Sequence, residues 1–111
     1  MAIQSALVTT ATPPATNVIY GPVATGQEHA ITTLFFCNYS VSDVVLQSVN
    51  LVKSGATATN TNKIIHNLTI PAGETFTFDA EKIVLEAGDK VEAIADANTR
   101  LSVTVSSLRV A

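Results

Sequence analysis

The most reactive side chains in this sequence are one cysteine, two histidines and a few carboxylates, and their spacing limits the chemistry they can perform. Cys37 is the only cysteine, so the chain has no internal disulfide and no zinc site built on several thiolates. A catalytic cysteine needs an adjacent base, yet His29 and His66 lie in no recognised nucleophile motif. We therefore predict that Cys37 is a small buried apolar residue, that His29 is a polar strand-edge residue and that His66 points to solvent.

The carboxylates form two arrangements that resemble acid–base or cation-binding sites. Asp79 and Glu81 lie two residues apart and would share one face of a strand, as the paired acids of a glycosidase might. Glu74 and Asp89 each follow an Ala-Gly pair directly before a strand-like run, where a carboxylate accepts a hydrogen bond from a turn N–H. Lys82 follows the first pair at once, and exposed turn charges explain it, whereas ordinary hairpin turns explain the second. We predict that the chain is not an enzyme and holds no metal or cofactor.

Charge is scarce and unevenly distributed along the chain. Of 111 residues, 47% are apolar and 14% charged, with a formal net charge of −3, whereas about 25% charged residues is typical. No Asp, Glu, Lys or Arg occurs in residues 1–27, and only Glu28 and Asp43 precede Lys53. A chain this apolar is expected to fold rather than to remain disordered. Six basic residues against nine acidic ones provide no cationic field for nucleic acid.

The sequence also bears on localisation. The N-terminus lacks the basic and apolar regions of a secretory leader, and no apolar run approaches the length that crosses a bilayer. We therefore expect a soluble protein that is synthesised in a cytoplasm and does not bind a membrane.

Short β-prone segments separated by turns dominate the chain. Residues 1–27 are predicted to form an extended arm with one short strand at 17–20, because the prolines at 13 and 14 disfavour helix. Residues 28–111 are predicted to form an all-β domain, a single antiparallel β-sandwich of jelly-roll or immunoglobulin-like type. Only residues 79–82 could close a helical turn. The strands of this domain are predicted at 30–38, 44–52, 63–70, 75–78, 90–96 and 100–110, with an exposed loop at 54–62.

The last strand changes the phase of its apolar residues. Leu101, Val103 and Val105 alternate with hydroxyl residues, a pattern of period two that is typical of a half-buried strand. Leu108 and Val110 then occupy the opposite phase. This change predicts either a β-bulge or a second contact surface that faces a neighbouring chain.

The segment 30–38 is apolar on both faces, which predicts that both faces are covered. One cover is the sandwich core, and the other is either the N-terminal arm or a second subunit. Together with the shortage of charge, this pattern predicts that residues 1–52 meet the neighbours of the protein. The two sets are Ile31, Phe35 and Cys37 on one face and Ala30, Leu34 and Phe36 on the other.

Three segments follow one another in a characteristic order: ITTLFFCNYS at 31–40, NLTIPAGETFTFD at 67–79 with EKIVLEAGDKVEA at 81–93, and LSVTVSSL at 101–108. In this order they resemble a pattern in small virion structural proteins of tailed bacteriophages. The resemblance covers about residues 28–110 and leaves the N-terminal arm outside. It implies a small β-sandwich at a repeated site of a phage particle, on the head or at the neck or tail. It carries over no catalytic residue.

Two classes of function are compatible with these observations. The first is a virion structural protein, expected to be a capsid decoration (cement) protein that stabilises the shell, with a neck, tail or baseplate component as the alternative. The second is a carbohydrate- or receptor-binding β-sandwich, although such modules usually present exposed aromatic residues and this chain has no Trp.

The expected partners are the major capsid protein or another virion protein, together with further copies of this chain. A trimer is the first expectation, by analogy with the threefold sites of capsid lattices. The predicted interface residues are the apolar residues of the arm and of the two-sided strands: Ile3, Leu7, Val18, Ile19, Tyr20, Leu34, Phe36, Leu108 and Val110.

Overall fold

The computed structural model describes residues 2–8, 17–96 and 100–110, without the side chains of residues 2–8 and 80–82. In these ranges the one helical element is a 3₁₀ turn at Asn60–Asn62. Three predicted strands, at 17–20, 44–52 and 63–70, have the bounds that the structure shows. The described strands are β1 (Ala2–Val8), β2 (Asn17–Tyr20), β3 (His29–Asn38), β4 (Val44–Val52), β5 (Lys63–Ile70), β6 (Thr75–Leu85), β7 (Lys90–Ala95) and β8 (Leu101–Arg109).

These strands form two four-stranded sheets. Sheet I has the order β1-β8-β3-β6, and sheet II has the order β2-β7-β4-β5. All pairings are antiparallel. This strand order is that of an eight-stranded jelly roll, in which two Greek keys fold over each other. The predicted all-β antiparallel sandwich is confirmed, and the topology corresponds to the first of the two predicted types.

The N-terminal segment contributes a strand to each sheet. β1 pairs with β8 from Ala2 opposite Ser107 to Val8 opposite Leu101, and β2 pairs with β7. The segment predicted as an extended arm with one short strand therefore contains a second strand, β1. Its small and mixed residues give only a weak alternation, which explains why the sequence pattern did not reveal it. Residues 9–16 of the predicted arm lie outside the described residues.

A bulge in β3 decides which residues of this strand face the core. The pairing register shifts between Ile31 and Thr33 against both neighbouring strands. Ile31, Leu34 and Phe36 are consequently all buried, at 1%, 0% and 0% exposure. The prediction that Ile31 shares a face with Phe35 is therefore wrong, because one extra residue exchanges the two faces of a strand.

The β-bulge that was one of the two alternatives for the last strand lies in its partner strand, β3, and not in β8. Burial along β8 alternates without interruption from Leu101 to Ser107, so β8 keeps one phase over these residues. The irregularity lies in the partner strand, where Ile31 and Thr33 are opposite the adjacent residues Ser107 and Ser106. Leu108 is therefore directed away from the core, on the face opposite that of Val105.

β6 is longer than the sequence predicted. The strand runs through residues 79–82, the one segment whose sequence could close a helical turn, and ends at Leu85. Its pairing is irregular at this point, since Asp79 is opposite Thr33 while Ile83 is opposite Ile31. Pairing with β3 on both sides of these residues keeps the segment extended, so it forms no helical turn.

The loop after β4 is held to the outer side of sheet II. The Nδ2 atom of Asn50, a residue with 2% exposure, donates to the Thr59 carbonyl oxygen at 2.8 Å and to Asn62 Oδ1 at 2.7 Å. Most residues between 54 and 62 are exposed, as predicted. The loop is therefore exposed on its outer side and anchored on its inner side.

Candidate interaction surface

The outward-facing side chains of β3, β6 and β8 form a broad surface, which we call the outer face of sheet I. Along β8, buried apolar residues alternate with half-buried hydroxyl residues. Residues directly opposite each other in an antiparallel pair share a face, so the pairing registers extend this set across the sheet. The described residues of the outer face are Ala30, Thr32, Thr33, Phe35 and Cys37 on β3, Thr75, Thr77, Asp79 and Val84 on β6, and Ser102, Thr104, Ser106 and Leu108 on β8.

The apolar side chains of this face lie in two rows that run across the strands. Phe35, which is 38% exposed, lies at the centre of the sheet and is opposite Thr77 on one side and Thr104 on the other. Near the end of the sheet, Ala30 lies between Val84 and Leu108, which are 52% and 42% exposed. The face thus combines an aromatic side chain at its centre with an apolar row at one end.

Charge is nearly absent from the described side chains of this face. Among them Asp79, on the edge strand β6, is the only charged one, and the side chains of Glu81 and Lys82 on the same strand lie outside the described residues. β1 continues the sheet beyond β8, with Ile3 opposite Ser106 and Leu7 opposite Ser102, and no charged residue occurs in its sequence. Burying an unpaired ion costs several kcal/mol, so this face can be covered by another protein with little such penalty.

The predicted interface residues fall into three groups. Val18, Leu108 and Val110 are exposed, at 44%, 42% and 52%. Ile3 and Leu7 belong to β1, and their side chains lie outside the described residues. The remaining four belong to the core of their own chain and are not accessible to a neighbour: Ile19, Tyr20, Leu34 and Phe36.

Phe35 is the interface candidate that the sequence-based selection missed. Both phases of the segment 30–38 are apolar, so the sequence alone did not show which phase faces outward. The shift caused by the bulge is fixed by pairing with β6 and β8. Leu34 and Phe36 therefore pack in the core, and Phe35 takes the position on the outer face.

A polar cluster joins the two sheets at one end of the sandwich. The hydroxyl of Tyr20 donates to Ser107 Oγ at 2.8 Å and lies 2.6 Å from Nδ1 of His29. The other ring nitrogen of His29 is 2.9 Å from Gln27 Oε1. Tyr20 and Ser107 are 3% and 1% exposed. Because the Tyr20 hydroxyl is bonded to the buried Ser107 and to the half-buried His29, we interpret the cluster as a structural cross-link between β2 and sheet I.

An open cleft of about 200 Å³ lies between the ends of β4 and β6. Asp89 at its margin is 5% exposed. Its two carboxylate oxygens accept hydrogen bonds from the Ser54 and Glu86 N–H groups, at 2.9 and 3.0 Å. The carboxylate therefore holds two turns together, in keeping with the predicted turn role. The cleft is lined by Leu51, Val52, Lys53, Ile83, Val84, Leu85 and Asp89.

The other reactive side chains are dispersed in the described part of the chain. His66 is exposed, as predicted, and its Nδ1 lies 3.1 Å from Nζ of Lys63. Across the described ranges, no group of three or more His, Cys, Asp or Glu residues could hold a metal ion. A search of the same residues for a helix long and apolar enough to cross a membrane found none.

Comparison with known proteins did not identify a relative: no protein-family model, curated protein or solved structure matches this chain. The fold and the surface therefore define the molecule only as a jelly-roll domain with one broad face whose described side chains are nearly free of charge.

Proposed function

We propose that this protein is a non-enzymatic structural component of a tailed-phage particle, and specifically a capsid decoration protein that binds and stabilises the shell. The observation that carries the proposal is the outer face of sheet I, whose described side chains are apolar or hydroxyl-bearing, with Asp79 as the single charged residue among them. Such a face is suited to permanent cover in an assembly, because little ion desolvation opposes its burial. The jelly-roll topology supports the proposal by analogy, since capsid domains often have this architecture.

The same face is compatible with a neck, tail or baseplate component, because each of these is also a permanent protein assembly. The distribution of copies on the particle separates the two. Decoration requires many copies over the whole head, whereas a neck or tail protein occupies one pole.

The proposal is tested by adding labelled protein to particles of the encoding phage that lack it, and imaging them. We expect uniform labelling of the head, and we expect heated particles to retain their genome to a higher temperature once the protein is restored. A single polar spot would assign the protein to the neck or tail. Unlabelled particles would contradict a virion role.

A glycan array distinguishes the carbohydrate-binding alternative. Tyr39, at 53%, is more exposed than Phe35 and is the aromatic side chain best placed to stack on a sugar ring, whereas the other tyrosine is buried in the core. We expect the array to be blank. Glycan binding that disappears in Tyr39→Ala would favour a binding module over a structural protein.

A further inference from the structure

We infer that two copies of this chain pack face to face through the outer face of sheet I and form an isologous dimer. This dimer would be the unit that joins the larger assembly, but the inference rests on the surface itself and does not require a phage particle. Three features carry it: the distribution of charge, the size of the face and the pairing of its rows.

The distribution of charge favours a second copy at this face. The chain has a net charge of −3, so two copies repel each other wherever their charged surfaces meet. The outer side of sheet II carries charged residues, including the ion pair of Lys90 and Glu92 at 2.9 Å. On the described outer face of sheet I, Asp79 is the only charged residue, and it lies on the edge strand β6. Two copies can therefore meet at this face with no opposed like charges at its centre.

The face is large enough for a stable dimer. Together with the backbone of β1, which continues the sheet beyond β8, four strands spaced about 4.8 Å apart and about nine residues long on average give a planar area of roughly 600 Å². Two copies would thus cover about 1,200 Å² before the relief of the side chains is counted, above the roughly 1,000 Å² expected of a biological interface. An interface of this size covers most of the sheet, so the surface that packs against it must be equally broad.

Each row of this face fits the same row of a second copy when the two copies are related by a twofold axis. An axis that lies in the interface, parallel to the strands and between β3 and β8, places β3 of each copy over β8 of the other. Phe35 of one copy then covers Thr104 of its partner copy, and Leu108 covers Ala30. The same axis lays β6 over β1, so the two Asp79 residues lie at opposite edges of the interface.

The mass of the protein in solution tests the inference. Light scattering or sedimentation of the full chain should give twice the 11.6 kDa of one chain.

Thr104→Lys and Thr77→Lys place like charges on the interface, where they are desolvated when the copies meet, so each should weaken dimerisation at least about tenfold. Gln47→Lys is the matched control, since Gln47 is an exposed residue of β4 in sheet II and should leave the dimer intact. Urea denaturation of each variant verifies that the fold is preserved.

Several outcomes would overturn the inference. These are a chain that is monomeric up to high micromolar concentration, a mass of three chains, or a dimer that Thr104→Lys and Gln47→Lys affect equally. Failure here is distinguishable from failure of the proposed function. A monomer that still labels phage heads overturns only the dimer, whereas a dimer that does not label particles overturns only the decoration role.

Discussion

At the scale of single residues, Asn38 shows how one buried amide can close a corner of the sandwich. Its Nδ2 donates to the carbonyl oxygens of Ser42 and Ile70, at 2.8 and 2.9 Å. Its Oδ1 accepts hydrogen bonds from the N–H and the hydroxyl of Ser40, at 3.0 and 2.7 Å. The side chain is 0% exposed and both of its polar atoms are satisfied, so it fixes the β3–β4 turn against the end of β5.

We expect Asn38→Ala to lower the free energy of unfolding by about 2–3 kcal/mol, because the Ile70 carbonyl oxygen and the turn lose their buried partner. Urea denaturation measures this loss. Asn60→Ala is the control, since Asn60 is exposed in the 3₁₀ turn, and it should change stability by less than about 0.5 kcal/mol. Equal effects of the two substitutions would show that the Asn38 hydrogen bonds do not stabilise the fold.

The Tyr20 hydroxyl offers a second test at this scale. Tyr20→Phe removes the bonds to Ser107 and His29 while keeping the buried ring, so it should cost about 1–2 kcal/mol. The same substitution at Tyr39, which is 53% exposed, should cost almost nothing. Combined with Ser107→Ala, Tyr20→Phe should cost less than the sum of the single changes, as a double-mutant cycle in urea denaturation would measure. Strict additivity would contradict a direct bond between these groups.

At the scale of elements, two turns with the same Ala-Gly-acid sequence have different surroundings. Both are closed by a backbone hydrogen bond, Glu74 N–H to Pro71 O at 3.1 Å and Asp89 N–H to Glu86 O at 3.0 Å. Gly73 and Gly88 have left-handed φ angles of 76° and 84°, which favour glycine. The surroundings of Gly73 are open, whereas a Cβ atom on Gly88 would overlap the Ser54 side chain.

The pair predicts graded effects of one substitution. Gly73→Ala should cost about 1–2 kcal/mol, the strain of a left-handed non-glycine residue. Gly88→Ala carries the same strain and must also displace Ser54, so it should cost at least about 1 kcal/mol more. Thermal or urea denaturation of both variants compares them directly. If Gly88→Ala were the milder change, the contact between this turn and Ser54 would be weaker than the geometry indicates.

These elements also show what the sequence could and could not predict. The bounds of β4 and β5 follow from local β-prone runs and flanking turn residues. The bulge of β3 could not be predicted, because it depends on pairing with Ser106 and Ser107, about 75 residues away in the sequence. Without that register, Ile31 was grouped with Phe35, and Leu34 and Phe36 were chosen as interface residues in place of Phe35, so the candidate surface was only partly predicted.

At the scale of the whole molecule, the fold redistributes the charge-poor segments of the chain. The sequence places the shortage of charge in residues 1–52. In the structure, β4 from this region belongs to sheet II, where the loop anchored by Asn50 lies over it. β8, from the other end of the chain, separates β1 from β3 in sheet I. The charge-poor face therefore combines both ends of the sequence, and no contiguous segment predicts it.

This arrangement makes β1 part of the sandwich, and its removal should affect the whole molecule. β1 covers one edge of β8 over seven residues, so replacing residues 2–8 by Gly and Ser exposes the backbone groups of that edge. An exposed, regular edge strand promotes association between chains. We expect the variant to unfold at a lower urea concentration and to scatter light increasingly with concentration.

The matched control replaces seven residues of the exposed loop, 54–60, by Gly and Ser. The Asn50 contact to this segment uses a backbone carbonyl, that of Thr59, and any residue supplies such an oxygen. The control should therefore retain most of the stability and should not scatter light. If the β1 variant behaved like this control, residues 2–8 would be an appendage, as the sequence first indicated, and sheet I would be complete with β8 at its edge. A loss confined to the β1 variant would instead establish that the jelly roll needs both ends of the chain to close its charge-poor sheet.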